Sequence, residues 1–139
     1  MILDPARLQK MREHKTFLVA PTLDQLERLF EKLASLSGQT LETLDSNTLR
    51  KLFTKGYPES GNKPLLKRGE HLSELPEFSE FFSKRGPDCA ISYTWSTKAS
   101  ELLKFLRSFE GKNKTDSQPF TYFLDVINNG LFYYPESIK

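Results

Sequence analysis

Apolar residues recur every three or four positions through the first half of the chain, which is the spacing of one face of a helix. The clearest stretch follows Thr22, and its apolar positions are Leu26, Leu29, Phe30, Leu33 and Leu36. Thr22 and Gln25 have the spacing of a capping box, and Gly38 is placed to end the helix. A shorter helical pattern follows, with Ser46 as its predicted cap and Gly56 as its stop. These two patterns predict a helical hairpin.

Two weaker patterns precede the hairpin. Asp4 followed by Pro5 predicts a short helix, because Asp is a good cap and Pro suits the first helical turn. The apolar run at residues 16–20 fits either a strand or the lead-in to the helix that starts after Thr22. We favour the lead-in.

A third helical pattern lies at residues 73–84, with Pro76 in its predicted first turn. Its aromatic positions are Phe78, Phe81 and Phe82. Full burial of each ring stabilises the folded chain by about 1.5–3 kcal/mol relative to leaving the ring exposed, because its apolar surface leaves water. The three rings are therefore core residues or an interaction surface, and the core is the more common outcome for such a row.

The period of the apolar pattern changes near Gly86–Pro87. Residues 89–95 are rich in β-branched and aromatic side chains and predict a strand, as do residues 120–126. Ser96 or Thr97 can cap a helix between them, whose apolar positions are Ala99, Leu102, Leu103, Leu106 and Phe109. A strand, a helix and a strand predict a βαβ unit with two parallel strands and a right-handed crossover.

The fold class predicted from these patterns is α/β, with a helical region at residues 1–86 followed by the βαβ unit at residues 87–139. The chain has 139 residues, which suits one compact domain, and its net charge of +2 is too small for a protein that coats nucleic acid. No stretch approaches the ~20 apolar residues needed to span a bilayer, and no signal peptide is recognisable. We therefore expect neither nucleic acid nor membrane as a partner, and a cytoplasmic location. Cys89 is the one cysteine, which excludes an intrachain disulfide and argues against a metal site.

Ligands of open parallel sheets bind beyond the carboxyl ends of the strands. The first predicted strand ends in Thr94, Trp95 and Ser96, and the second ends in Asp125, with Asn128 just beyond it. If the strands are adjacent, these side chains meet near the free N–H groups of the helix that starts there. The arrangement predicts a phosphate or ribose site. Simpler roles also exist, because Ser96 can be only a cap, Trp95 can close the end of the sheet, and Asp125 can reach water.

Residues 88–96 read Asp-Cys-Ala-Ile-Ser-Tyr-Thr-Trp-Ser, and residues 122–125 read Tyr-Phe-Leu-Asp. Together with the helix between them they resemble the opening of Toll/interleukin-1 receptor (TIR) domains and of related HET-like proteins, over residues 88–129. The resemblance implies a flavodoxin-like parallel sheet, with either homotypic signalling assembly or cleavage of NAD and related nucleotides. It also implies that residues 92–96 and 125–129 border the nucleotide pocket. The residues expected to bind NAD or ADP-ribose there, as cofactor or ligand, are Thr94, Trp95, Ser96, Asp125 and Asn128.

The sequence departs from the TIR pattern after the second strand. TIR domains that cleave NAD use a glutamate on a helix after the third strand, and nothing here matches it, since Glu136 lies outside any such motif. A complete sheet of this type has about five strands, and only two are predicted here. Either the chain is the N-terminal part of a larger protein, or the N-terminal helices complete the βαβ unit in a fold of its own. We favour the first.

Two classes of function follow. The first is a TIR-like signalling or defence module that binds NAD or ADP-ribose and whose catalytic glutamate is missing from this chain. The alternative is a non-catalytic protein-interaction module, which would contact a protein partner or a second copy through Phe78, Phe81 and Phe82 or through the open sheet edge. A complete hydrolase that uses Asp125 as its acid is a third and weaker reading.

Overall fold

The computed structural model describes residues 19–67, 70–91, 96–113, 119–124 and 127. Its regular elements in chain order are α1 (Leu23–Leu36), α2 (Ser46–Thr54), β1 (Cys89–Ala90), α3 (Ala99–Asn113) and β2 (Tyr122–Phe123). Short 3-10 turns lie at Pro58–Ser60, Leu72–Glu74 and Ser79–Phe81. The fold is thus mixed helix and strand with a parallel pair, which confirms the α/β class at that level. The predicted helix at Asp4 lies outside the described residues.

The caps of α1 and α2 explain where both helices begin. The Thr22 hydroxyl accepts from the Gln25 N–H at 3.3 Å, and the Gln25 side chain accepts from the Thr22 N–H at 3.0 Å. The predicted capping box of α1 is therefore confirmed. The cap of α2 is Asp45 and not Ser46, because the Asp45 carboxylate reaches the Thr48 N–H at 2.9 Å from an extended backbone. Ser46 becomes the first residue of the helix.

The strands pair in parallel, with Cys89 opposite Tyr122 and Ala90 opposite Phe123. The predicted strand–helix–strand order is therefore confirmed, and α3 is the crossover. Each strand is two residues long where the structure describes it, and residues 92–95 and 125–126 lie outside the described part. The crossover helix continues through Gly111 and ends at Asn113.

A segment ahead of α1 covers the other side of β2. The Tyr122 N–H donates to the Pro21 carbonyl at 2.9 Å, and Thr22 and Thr121 form an antiparallel bridge. Ala20 forms a second antiparallel bridge, with Ser83. The end of the apolar run before α1 is thus both a lead-in to the helix and a short extended partner of the sheet. As a result, β2 has neighbours on both of its sides.

The helix predicted at residues 73–84 is not formed. The chain makes the separate turns Leu72–Glu74 and Ser79–Phe81, with Leu75 extended between them at φ −78° and ψ 128°. Leu75 precedes Pro76, whose ring disfavours the helical conformation of the residue before it, and Pro76 has no N–H to continue a helix. This local restriction outweighs the helical spacing of the apolar residues.

The three aromatic rings of this segment belong to the core. Phe78 is fully buried, and Phe81 and Phe82 are each 6% exposed. Helix α1 covers two of them, since the Lys32 ammonium lies 4.9 Å from the Phe78 ring centroid and the Arg28 guanidinium lies 5.9 Å from that of Phe81. Phe82 packs against the His71 ring, with 5.7 Å between the ring centroids. The interaction surface predicted from Phe78, Phe81 and Phe82 is therefore corrected, because all three rings are buried within the fold.

The helical region and the βαβ unit share one hydrophobic core. Its residues come from α1, α2, α3, the end of β2 and residues 72–82, which we call the aromatic turns. They include Leu33, Phe53, Phe78, Leu103 and Leu124. Ion pairs between Arg107 and Glu27 and between Lys98 and Asp45 also join α3 to the helical region. The change of pattern at residue 86 thus does not separate two cores. None of the helices in the described part combines the length and apolar character needed to cross a membrane.

Candidate functional site

A small cavity lies at the carboxyl end of β2, where the sequence predicted a ligand site. Leu124 lines it beside the starts of α2 and α3, and its polar residues are Asp45, Ser46 and Thr97. Its volume is about 20 Å³, which is room for a single water molecule. Pockets for drug-sized ligands and cofactors are larger by more than a factor of ten. The described residues therefore leave no space for a nucleotide inside this cavity.

Carbonyl groups from the loop before α2 already bind the start of α3. The Ala99 N–H donates to the Leu44 carbonyl at 2.8 Å, and the Ser100 N–H donates to the Leu41 carbonyl at 2.9 Å. These are two of the first N–H groups of the helix, which the sequence analysis expected to be free for a phosphate. They are bonded within the protein instead, so a phosphate would have to compete with the chain's own carbonyl groups.

Asp45 connects the starts of α2 and α3. One carboxylate oxygen accepts from the N–H and the hydroxyl of Thr48, and the other lies 3.1 Å from the Lys98 ammonium. Burial acts to raise the pKa of Asp45, but the hydrogen bonds from Thr48 and Lys98 outweigh it and hold the pKa below its ordinary value. The sequence analysis missed this residue, although an Asp three positions before Thr48 is a recognisable cap signal.

Replacing Asp45 tests this connection. Asp45→Ala removes the cap and the ion pair, so we expect the free energy of unfolding to fall by about 1–2 kcal/mol. Asp45→Asn retains a capping oxygen and loses only the charge, so its free energy of unfolding should lie between those of the wild type and Asp45→Ala. Because the pKa is lowered in the folded protein, the contribution of the charge is full above the ordinary value of 3.8 and is lost as the pH falls through the folded pKa. Urea unfolding from pH 7 to pH 3 should show the wild type approaching Asp45→Asn in acid. Equal losses for Ala and Asn would contradict the role of the cap.

The residues predicted to bind a cofactor are only partly within the described structure. Ser96 lies on the turn before α3 and is exposed. Thr94, Trp95, Asp125 and Asn128 lie outside the described residues, so their convergence at the strand ends stays a prediction. The polar side chains that line the cavity come instead from Ser46 of α2, from Asp45 before α2 and from Thr97 before α3.

A second group of polar side chains lies at the opposite end of the sheet. The Tyr122 hydroxyl donates to the Glu110 carboxylate at 2.6 Å, which ties β2 to α3. Cys89 is half-buried on the adjacent strand, and burial, together with the charges of Asp88 and Glu110, raises the pKa of its thiol. A thiol with a raised pKa has little thiolate at neutral pH and is a poor nucleophile. Cys89 is therefore not a candidate nucleophile in the folded chain.

Helix α3 carries an exposed aromatic side chain. Phe105 is 58% exposed and is the one large hydrophobic side chain exposed in the described part of the chain. One turn later Phe109 is half-buried and packs on Phe120, with 5.7 Å between ring centroids. We call Phe105, Phe109 and Phe120 the α3 aromatic row. The sequence analysis missed Phe105, although the helical spacing of α3 places it outside the buried face.

Neither a metal-ligand cluster among the described residues nor a similarity to a known protein assigns a ligand to this site. Among the residues that the structure describes, no three His, Cys, Asp or Glu side chains are grouped so as to hold a metal ion. The resemblance of residues 88–129 to TIR domains stays a prediction. In comparisons with known proteins, no family model matches the chain, and neither does any curated protein or solved structure.

Proposed function

We propose that this chain is a protein-interaction module that contacts its partner through the α3 aromatic row. The observation that carries this proposal is the exposure of Phe105, whose ring is 58% accessible while every phenylalanine of the aromatic turns is buried. Single exposed apolar residues are common on protein surfaces, but Phe105 lies one helical turn before Phe109, which is half-buried and packs on Phe120. Aromatic rings of this kind dominate the binding energy of many interfaces.

The proposal keeps the class of function that the sequence favoured as its alternative and moves the contact surface. Phe78, Phe81 and Phe82 are buried. The outer face of α3, by contrast, is exposed at Glu101, Lys104, Phe105 and Ser108. Among the described residues β1 pairs only with β2, and Ala90 on its outer side is exposed. Such an edge can accept a partner strand and would add main-chain hydrogen bonds to the contact.

Nucleotide binding at the strand ends receives less support from the described residues. The first N–H groups of α3 bond to Leu41 and Leu44, and the adjacent cavity has room for one water. The residues that would recognise NAD or ADP-ribose lie mostly outside the described part. We therefore place the interaction module first and leave nucleotide binding as the sequence-based prediction.

A photo-crosslinking amino acid at position 105 tests the proposal. We expect the full chain with benzophenone-phenylalanine at position 105 to give an intermolecular adduct of defined mass in the cells that produce it. The matched control carries the same group at position 104, which is exposed on the same helix about 100° away around its axis. The identified partner, once purified, should bind the Phe105→Ser variant at least 10-fold more weakly. Intramolecular adducts alone, or equal intermolecular adducts at both positions, would show that the proposal is wrong.

A further inference from the structure

We infer that the partner of the α3 aromatic row is a second copy of this chain, packed with its α3 antiparallel to the first. The inference rests on the proposed function, because it names the partner of the same surface. The juxtaposition that carries it is an exposed ring on one helix face, between an acid and a base that form no ion pair with any residue the structure describes.

The outer face of α3 has a simple order of charges. Its exposed positions are spaced by four, three and four residues and lie on one side of the helix, namely Glu101, Phe105, Ser108 and Lys112. The acid is in the first turn and the base is in the last turn of the helix. The aromatic ring lies between them. A face that is acidic at one end and basic at the other is complementary to itself when it is turned end for end.

The spacing fixes one register for the pair. When Glu101 of one copy lies opposite Lys112 of the other, Phe105 lies opposite Ser108, and the two-fold axis generates each of these contacts twice. The two Phe105 rings are then offset by about 4.5 Å along the helices, since each residue rises about 1.5 Å, and they can pack side by side. A parallel pairing would bring the two Glu101 side chains together and the two Lys112 side chains together, which is unfavourable.

Three other charged residues of this region are in use within the chain, whereas Lys104 is exposed beside the face and forms no ion pair with a described residue. Arg107 pairs with an acid of α1, Lys98 pairs with Asp45, and Glu110 accepts from a tyrosine of β2. By contrast, Glu101 and Lys112 form no ion pair with any residue that the structure describes, and the Glu101 carboxylate accepts only the N–H of Lys98. Both charges therefore remain available for a second copy without breaking a contact in the first.

The size of the face predicts a weak dimer. One helix face with a single largely exposed ring buries less than the roughly 1,200 Å² of total surface that stable interfaces bury. We therefore expect a dissociation constant on the order of 100 μM or higher, in the range of transient contacts. A partner strand on the edge of β1 is not required for this arrangement.

Sedimentation equilibrium of the purified full chain tests the inference. Between about 10 μM and 2 mM the average mass should rise from that of the 16.1 kDa monomer toward twice that value. Phe105→Ser should abolish the rise, and Glu101→Lys should weaken association at least 10-fold. The double variant Glu101→Lys with Lys112→Glu should restore it, because the charges are exchanged and remain complementary. Lys63→Glu, which makes the same charge change at an exposed lysine in the loop after α2, should leave association unchanged.

The results separate this inference from the proposed function. A monomer up to 2 mM, an association that Phe105→Ser does not affect, or a double variant that fails to restore association would overturn the antiparallel dimer. If the chain is monomeric and the crosslinker at position 105 captures a different protein, the interaction module stands and the second copy does not. If neither experiment gives an intermolecular contact, both are wrong. Circular dichroism and urea unfolding of each variant verify that the fold is retained.

Discussion

Phe78→Ala is expected to lower the free energy of unfolding by about 3–5 kcal/mol, because it empties a fully buried site in the core. Phe78 packs beneath α1, where the Lys32 side chain crosses its ring and donates to the Glu77 carbonyl. A loss of this size is a large part of the roughly 5–15 kcal/mol that stabilises a typical domain. Urea unfolding monitored by circular dichroism gives the change directly.

The matched control is Phe105→Ala, which removes the same atoms from a ring that is 58% exposed. We expect this variant to lose less than about 1 kcal/mol, because little of the ring leaves water on folding. The pair of variants separates the two roles of phenylalanine in this chain, since one ring stabilises the fold and the other is proposed to bind. Similar losses for both variants would contradict the placement of Phe78 in the core and of Phe105 on the surface.

Gly56→Ala is the second change with a large expected effect. Gly56 ends α2 with φ +93°, and a Cβ atom there would lie 2.2 Å from the Lys63 carbonyl oxygen and 2.5 Å from its carbon. Both the positive φ and the backbone contact oppose a side chain, so we expect a loss of more than about 2 kcal/mol. The loop that follows α2 would have to move. Its Leu65 and Leu66 N–H groups bond to the last turns of α2, so the movement would disturb that end of the core.

Gly61→Ala is the control for the backbone contact. Gly61 has φ +76°, but a Cβ atom there would meet nothing within 4 Å. We expect a loss of only about 1–2 kcal/mol, which is the cost of the left-handed conformation alone. Thermal or urea unfolding of the two variants isolates the contribution of the close approach as their difference. If both variants lose the same free energy, the loop at Lys63 relaxes without cost and the tight packing is not a constraint.

The elements that the sequence predicted correctly are those whose signals are local. The capping box at Thr22 and Gln25 lies within four residues, and the stop at Gly38 is a single glycine at φ +67°. The strand–helix–strand order after residue 86 was also readable, because the apolar period changes there. In each case the residues that determine the structure are neighbours in the chain, so spacing and residue type were sufficient.

The aromatic turns show how a local restriction can defeat a periodic pattern. The helical spacing of Phe78, Phe81 and Phe82 was real, but Pro76 keeps Leu75 extended and the helix cannot form. The same spacing still brings the rings into the core, because turns of this kind also place residues three apart on one side. The prediction of burial thus succeeded while the prediction of secondary structure was wrong.

The candidate site could not be predicted because its contacts are distant in sequence. The bonds from Ala99 and Ser100 to the carbonyl groups of Leu44 and Leu41 join α3 to a loop in the other half of the chain. No property of either segment alone indicates that the carbonyls occupy the place expected for a phosphate. The exposure of Phe105 is similar, since the wheel of α3 indicates an outer face, but only the packed neighbours show which face is left uncovered.

The bond between the Pro21 carbonyl and the Tyr122 N–H has a consequence for the order of folding. It joins the start of the described chain to nearly its end, so it is a contact of high sequence separation, and such contacts slow folding. During synthesis at about 5–20 residues per second, the segment before α1 must wait on the order of 5–20 s before β2 is made. Helices α1 and α2 can form in that interval. The segment before α1 can also form its bridge from Ala20 to Ser83 before β2 is made, so its bond to Tyr122 completes a pairing that has already begun.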